Sequence, residues 1–141
     1  MAYALTLTIE GFPEISVESF SFGVSTAVTG SGANGRATFA PLTITKKLDK
    51  ATPRLFLYAA AGNHIRRVTL LISSIDAPQM IYRFDEVRVT SITHSGNGHD
   101  GPLPGERVAF DYLKVKLEFK VPDGTSAVET LSNDLAPEES F

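Results

Sequence analysis

The stretch FAPLTITKKLDKATPRLFLYAAAGNHIRRVTL, residues 39–70, holds two strand patterns with a basic turn and a short helix between them. The helix has recognisable ends. Thr52 is suited to the N-cap and Pro53 to the first helical position, where its missing N–H is not needed. Gly62 supplies the left-handed conformation that commonly ends a helix. We therefore predict one short α-helix over about residues 52–61, with a strand on each side.

The predicted helix is apolar over nearly all of its surface. Leu55, Tyr58 and Ala59 share one face, and Phe56 and Leu57 occupy the others. A helix that is apolar all round is normally buried on more than one side. We expect this helix to contact a second surface in addition to the core of its own chain.

The rest of the chain shows the alternation of apolar and polar residues that is typical of strands. In three long runs, residues 14–24, 79–93 and 106–121, the apolar positions change from one parity to the other. A change of parity indicates a bulge, or a strand that crosses between two sheets. Three such runs predict a mainly β fold: a two-layer antiparallel β-barrel, closed or nearly closed, with one short flanking helix.

The composition indicates one domain with an acidic end. The 141 residues are 43% hydrophobic, which suffices for a single core. All 13 Lys and Arg residues precede Pro122, whereas five of the 16 acidic residues follow it. We predict a β-barrel domain over residues 1–121 and an acidic C-terminal tail over residues 122–141. The tail has room for one short strand before a disordered end, at Val128, Leu131 and Leu135.

Cysteine and targeting segments are not evident in the sequence. The lack of cysteine excludes disulfides, thiolate catalysis and Cys-ligated metal. The N-terminal residues MAYALTLTIEG have neither the charged start nor the long apolar core of a cleavable signal peptide. No apolar run approaches the ~18 residues of a membrane span. We expect no membrane insertion, and any export would use a route that reads no cleavable signal.

The common catalytic motifs are also not found. No serine lies in a GxSxG elbow, and the glycine-rich segment GSGANGR lacks the GK[ST] of a phosphate-binding loop. The adjacent carboxylates Asp85 and Glu86 would point to opposite faces of a strand, which makes them a poor acid–base pair. These observations favour a protein that is not an enzyme.

One polar loop is a candidate metal site. His94, His99 and Asp100 share a glycine-rich segment, and only Asp76 or His64 remain to complete a coordination sphere. Polar loop residues are the favoured interpretation, so we expect no metal and no cofactor. A hydrolase would have to build its site from this same cluster.

The basic residues are grouped around the predicted helix. A nucleic-acid-binding domain would be clearly basic and would interleave aromatic residues on a strand platform, and neither feature is present. Solvated surface or ion pairing between subunits is the favoured interpretation, and we expect no nucleic-acid partner. The residues concerned are Arg36, Lys46, Lys47, Lys50, Arg54, Arg66 and Arg67.

Four blocks of the sequence carry a family resemblance: ESFSFGVS (18–25), FAPLTITKKLDKATPRL (39–55), AAAGNHIRRVTL (59–70) and ERVAFDYLKVKLEF (106–119). In order and spacing they resemble the Hcp family, the tube protein of type VI secretion, across roughly residues 4–121. Two departures stand out. Segment 11–15 is shorter than in many members, and the C-terminal region lacks the Trp-containing final strand often seen and ends acidic.

The resemblance implies a structural tube subunit that forms hexameric rings. The rings would stack into a hollow tube that a contractile sheath expels together with effectors. The implied partners are other copies of the chain, sheath, baseplate and spike proteins, and effector proteins. The protein would be cytoplasmic before firing and then secreted to the extracellular space or a target cell without a cleavable signal peptide.

The resemblance also suggests where the assembly contacts lie. We predict a subunit interface on the helix, at Leu55, Phe56, Leu57 and Tyr58. We predict that the loop 26–36 reaches toward the next ring, through Thr29, Gly30, Ser31, Gly32, Asn34 and Arg36. The alternative is a divergent, non-polymerising Hcp-like module that is secreted and binds or carries effectors, which the acidic tail and the short first loop would support.

Overall fold

A computed structural model of the chain describes residues 3–26, 37–98, 103–124 and 126–132. These residues form eleven strands and one helix, which lies between the sixth and seventh strands. The elements in chain order are β1 (Ala4–Ile9), β2 (Ile15–Val17), β3 (Ser19–Ser21), β4 (Val24–Thr26), β5 (Ala37–Phe39), β6 (Leu42–Lys47), α1 (Thr52–Ala61), β7 (His64–Ser73), β8 (Gln79–Ser95), β9 (Gly105–Asp111), β10 (Lys114–Lys120) and β11 (Ser126–Ser132).

Nine of these strands form one antiparallel sheet, with the order β2-β1-β7-β8-β9-β6-β3 and with β10 and β11 added beside β8. Strands β4 and β5 form a separate pair. The predicted mainly β, antiparallel architecture with one flanking helix is confirmed.

The long strand β8 divides the sheet into two layers. Its first part, Gln79–Asp85, pairs with β10, and its second part, Arg88–Ser95, pairs with β9. Phe84 and Val87 are both buried although their parities differ, and between them Glu86 adopts a positive φ of 57°. This irregularity turns the strand's buried face over, as the parity pattern predicts.

The run that contains β2 and β3 changes partner in the same way. Strand β2 pairs with β1, whereas β3 pairs with β6, at the opposite end of the sheet. Between them the Glu18 N–H donates to the Thr45 carbonyl at 2.8 Å. The run thus brings the two ends of the sheet together, and the ladder is interrupted at Glu18 rather than closed continuously.

The third parity change separates two strands. Residues 106–121 were predicted as one strand, but the chain leaves the ladder at Tyr112 and Leu113 and forms β9 and β10. The Leu113 N–H donates to the Asp85 carbonyl at 3.1 Å, which holds the break against the turning point of β8. The break between β9 and β10 and the turning point of β8 at Glu86 therefore lie next to each other in the sheet.

Aromatic side chains fill the core between the layers. Phe22 lies 5.3 Å from Phe84, 5.4 Å from Tyr82 and 5.8 Å from Tyr112 between ring centroids, with edge-on geometry in each pair. Such pairs contribute about 0.5–1.5 kcal/mol beyond the burial of their surface. They fix the segment after β3 against β8 and the β9–β10 junction.

Tyr112 offers a test of this packing by pH. Its hydroxyl donates to the Ala40 carbonyl at 2.7 Å, and burial raises the pKa of Tyr112 above the usual value of 10.0. The unfolded chain therefore releases this proton at a lower pH than the folded chain, and stability falls as the pH rises above about 10. We expect Tyr112→Phe to cost about 1 kcal/mol at pH 8, because the hydrogen bond is lost.

The difference in the free energy of unfolding between wild type and Tyr112→Phe should shrink as the pH is raised from 8 to 11. The wild type loses stability over this range because its unfolded tyrosine ionises, whereas a phenylalanine cannot ionise. Urea unfolding at several pH values measures it. A difference that stays constant or widens over this range would contradict the assignment.

A strand is present where the sequence leaves room for one after Pro122. Strand β11 pairs along the full length of β10, with Leu131 opposite Val115 and Val128 opposite Glu118. Leu135 and the acidic end of the chain lie outside the described residues. Residues 126–132 thus extend the main sheet.

Candidate assembly surface

The structure separates the four residues predicted at the subunit interface. Leu55 is fully buried in the core of its own chain, so it is not available to a neighbour, and its inclusion was wrong. Tyr58 is half-buried and packs edge-on against Phe12 with ring centroids 5.1 Å apart. Phe56 and Leu57 are 43% and 58% exposed. The expectation of burial on more than one side is not met within the single chain.

The exposed side of the helix is a continuous apolar surface. Phe56 and Ala60, and likewise Leu57 and Ala61, are one helical turn apart, and all four are exposed. We call these four residues the outer face. Arg54 is the only charged residue of α1, and its guanidinium donates to the Gly11 carbonyl at 2.6 Å.

The start of the helix differs from the prediction. The N-cap is Ala51, and no side chain accepts a hydrogen bond as a cap. The Asp49 carboxylate accepts the Ala51 N–H at 2.9 Å, and the Thr52 hydroxyl accepts the Asp49 N–H at 2.9 Å. Thr52 was expected to cap the helix, but its hydroxyl is used to fix the preceding turn.

Beneath this turn lies a buried ion pair between Lys46 and Glu106. The Lys46 ammonium contacts the Glu106 carboxylate, donates to Asp49 Oδ1 at 2.8 Å and donates to Thr52 Oγ1 at 3.3 Å. Thr52 Oγ1 in turn donates to Glu106 Oε1 at 3.1 Å. Both members of the pair are fully or almost fully buried. The network ties the first turn of α1 to β6 and β9.

The network reaches the outer face through His94. His94 Nε2 lies 2.9 Å from Glu106 Oε2, and its ring packs edge-on against Phe56 with centroids 4.7 Å apart. Phe56 is therefore exposed to solvent on one side and packs on the other against His94, whose ring contacts the buried Glu106.

The buried pair was missed in the sequence, although a signal for it exists. Lys46 follows Leu42 and Ile44 at alternate positions, and Glu106 precedes Val108 and Phe110 in the same way. Each charge therefore continues the buried face of its strand. Lys46 was instead grouped with the other basic residues as surface.

The end of the helix agrees with the prediction. Gly62 adopts a left-handed conformation with φ 70°, and its N–H and that of Asn63 both donate to the Tyr58 carbonyl, at 2.9 and 3.2 Å. Anchored at both ends, α1 presents the outer face in a fixed orientation.

Gly62→Ala tests this cap. A Cβ at Gly62 meets nothing within 4 Å. The substitution should therefore lower the free energy of unfolding by about 1 kcal/mol, solely because alanine is strained in the left-handed conformation. Gly23→Ala is the matched control, because its Cβ is equally unobstructed and its φ is not positive. Chemical unfolding should show a lower free energy of unfolding for Gly62→Ala only. Equal losses of stability in both variants would count against the role of Gly62 as the cap.

The polar loop does not assemble a metal site among the residues that the structure describes. His94 contacts Glu106, and no group of three metal-binding side chains is present in this part of the chain. His99 and Asp100, named above as candidates, lie outside the described residues.

The two arginines after the helix pair within the chain. Arg66 contacts Glu10 at 2.9 Å and Arg67 contacts Asp85 at 2.9 Å, in an open groove that Leu113 also lines. The hydrogen bond and the charge of Glu10 raise the pKa of Arg66. These are exposed ion pairs, which contribute little to stability because water and salt screen them.

The ring-stacking residues predicted from the sequence cannot be placed on this surface. Thr29, Gly30, Ser31, Gly32, Asn34 and Arg36 lie outside the described residues. Within the described residues, no helix has the length and apolar character required to cross a membrane.

Comparison with known proteins places the chain in a family. The family model described as "Type VI secretion system effector, Hcp" matches residues 11–119. The protein hcp1 of Pseudomonas aeruginosa is 28% identical over 83 residues, a match that covers 56% of this chain and 51% of that protein. The match thus spans about half the length of this curated relative.

Solved structures match over almost the whole chain. A type six secretion system protein has a TM-score of 0.79 and 25% identity, with 93% of this chain and 96% of that chain covered. Hcp1 from Salmonella typhimurium has a TM-score of 0.78 and 26% identity, with 94% and 95% covered. The chain belongs to the Hcp family, the tube proteins of type VI secretion systems.

Proposed function

We propose that the chain forms six-membered rings that stack into a hollow tube, which is expelled with effector proteins. The observation that carries this proposal is the outer face of α1. In an Hcp-family chain, the one helix of the described residues turns an uninterrupted apolar surface away from its own core.

Contact of the outer face with water is unfavourable. Phe56 and Leu57 remain exposed in the single chain, and burial of apolar surface is favourable by about 25 cal/mol per Å². The helix is also held at both ends, by the Lys46–Glu106 network and by Gly62. A surface that is already ordered loses little conformational entropy when a partner binds.

Ring symmetry sets a further condition. In a closed ring each copy contacts the next through two different patches, since the contact is head-to-tail. The outer face would be one of them. Contact between successive rings would involve the segment 26–36, which remains a proposal because residues 27–36 lie outside the described part of the chain.

The remaining partners follow from membership of the family. The protein would be cytoplasmic before firing and would leave the cell inside a sheath anchored on a baseplate, behind a spike. Effectors would travel in or on the tube. In this account the chain acts by shape and stiffness, and catalysis is not required of it.

Negative-stain electron microscopy of the purified chain tests the proposal. We expect rings of uniform diameter at low concentration and stacks of rings at high concentration. Uniform single particles without a central hole at both concentrations would contradict it. That result would favour the alternative, a secreted Hcp-like module that binds or carries effectors without polymerising.

A further inference from the structure

Strand β10 carries a row of three lysines on the side that faces away from the core. Lys114, Lys116 and Lys120 are all exposed, and they share the side of the strand opposite to the buried Val115. A strand rises about 3.3 Å per residue, so the row is about 20 Å long. We call these three residues the lysine stripe.

Two carboxylates on the same side of the sheet are held by arginines. Glu118, which also belongs to β10, contacts Arg83 at 3.2 Å. Asp85, on the neighbouring strand β8, contacts Arg67 at 2.9 Å. These two acids are therefore already paired with a guanidinium each.

Two further carboxylates line open grooves at the ends of the stripe. Glu86 shares one groove with Lys114, and Asp76 shares another with Lys120. Glu86 contacts His64 at 3.1 Å. Among the residues that the structure describes, no carboxylate lies within 4 Å of a stripe ammonium, so the stripe carries three positive charges without a partner.

The other neighbouring strand, β11, adds no charge to this side of the sheet. Thr130 lies opposite Lys116 in the register. Glu129 is the only charged residue of β11, and it lies opposite Leu117, on the other side. The stripe is therefore the net charge of this part of the sheet surface.

The chain itself supplies an acidic segment next to the stripe. Strand β11 ends at Ser132, whose register partner is Lys114. The nine residues that follow, NDLAPEESF, contain Asp134, Glu138 and Glu139 and no base. These nine residues, which we call the acidic end, lie outside the described part of the chain. Their three acidic side chains equal the stripe lysines in number.

The acidic end is long enough to reach the whole stripe. Nine extended residues span up to about 30 Å, which exceeds the length of the stripe. Glu138 follows Ser132 by six residues, and Lys120 follows Lys114 by the same number. Carboxylates of the acidic end can therefore reach lysines at both ends of the stripe.

We infer that the acidic end of each chain binds to the lysine stripe of the same chain. Its attachment at Ser132 gives the carboxylates an effective concentration of about millimolar at the lysines, which favours them over a separate acidic molecule. The acidic end is thus an internal competitor for any other acidic partner of the stripe. This contact lies within one chain and does not depend on the ring assembly proposed above.

Cross-linking of the full chain with a water-soluble carbodiimide tests the inference. The reagent joins a carboxylate directly to an amine, so only groups in contact react, and peptides from the band of 15.2 kDa report contacts within one chain. In 10 mM NaCl we expect Asp134, Glu138 and Glu139 to be joined to the stripe about tenfold more often than to Lys50. Lys50 is also exposed, in the turn between β6 and α1.

Salt and a charge reversal provide the matched comparisons. In 1 M NaCl the Debye length falls from about 30 Å to about 3 Å, so the yield at the stripe should fall to that at Lys50. Lys116→Glu should lower the yield at the two remaining stripe lysines about threefold in 10 mM NaCl. Lys50→Glu makes the same change of charge away from the stripe and should leave that yield unchanged.

Several results would overturn the inference. One is equal joining to the stripe and to Lys50 in 10 mM NaCl, and another is a yield at the stripe that does not respond to salt. Equal effects of Lys116→Glu and Lys50→Glu would also contradict it. Joined peptides found only in a band of twice 15.2 kDa would assign the acidic end to the stripe of a neighbouring copy, and the contact within one chain would then be wrong.

Discussion

Replacement of Lys46 by methionine is expected to lower the free energy of unfolding by about 3–5 kcal/mol. The ammonium is fully buried and contacts Glu106, Asp49 and Thr52. Its removal leaves the Glu106 carboxylate buried without the ammonium, with Thr52 and His94 as its remaining contacts. Breaking one half of a buried ion pair is far more costly than the pair itself. Equilibrium unfolding in urea measures the loss.

The adjacent lysine supplies the control. Lys47 is exposed and contacts Glu18 at 3.6 Å, so Lys47→Met should cost no more than about 1 kcal/mol. The double variant Lys46→Met with Glu106→Leu should be more stable than Lys46→Met alone, because no charge is then stranded. Equal, small effects of Lys46→Met and Lys47→Met would show that the network is not a buried anchor of the helix.

The second large effect concerns assembly rather than folding. Leu57→Asp should reduce the protein to a single chain at every concentration tested, because a carboxylate would have to be buried at the subunit contact. Leu57 is 58% exposed in the single chain, so the free energy of unfolding should change by only about 0.5 kcal/mol. Sedimentation velocity over a range of concentrations measures the assembled fraction.

Ile75→Asp is the control for Leu57→Asp, because it shows whether an aspartate at any exposed apolar position would prevent assembly. Ile75 is 83% exposed, in the turn between β7 and β8. The same substitution there should leave the assembled fraction unchanged. Complete loss of assembly in both variants, or in neither, would remove the special role assigned to α1.

Local chemistry made the helix predictable, and the error at its start has one local cause, the turn at Asp49, and one distant cause. Pro53 and Gly62 act through their own backbone preferences, so the sequence predicts the helix bounds well. Thr52 was expected to cap the helix, but its hydroxyl is engaged by Glu106, which is 54 residues away. No local pattern contains that partner.

For the strands, too, the local pattern was predictable and the distant partners were not. They predicted that strands would cross between layers, and the turn at Glu86 and the break at Glu18 are where this happens. The partners of each half of β8 depend on long-range pairing, which alternation does not specify.

The candidate interface stays a prediction, and the exposure of its residues was predictable only in part. The all-round apolarity of α1 indicated a second surface, and the structure leaves Phe56 and Leu57 exposed for one. The pattern alone could not assign Leu55 to the core, because apolar residues cover every face of the helix. The mass of the assembled protein decides whether that second surface is another copy of the chain.

Light scattering of the purified wild-type chain tests directly whether six copies assemble. We expect a single species of about six times the 15.2 kDa of one chain, or stacks of that unit at high concentration. A constant mass of 15.2 kDa across the same range would contradict it.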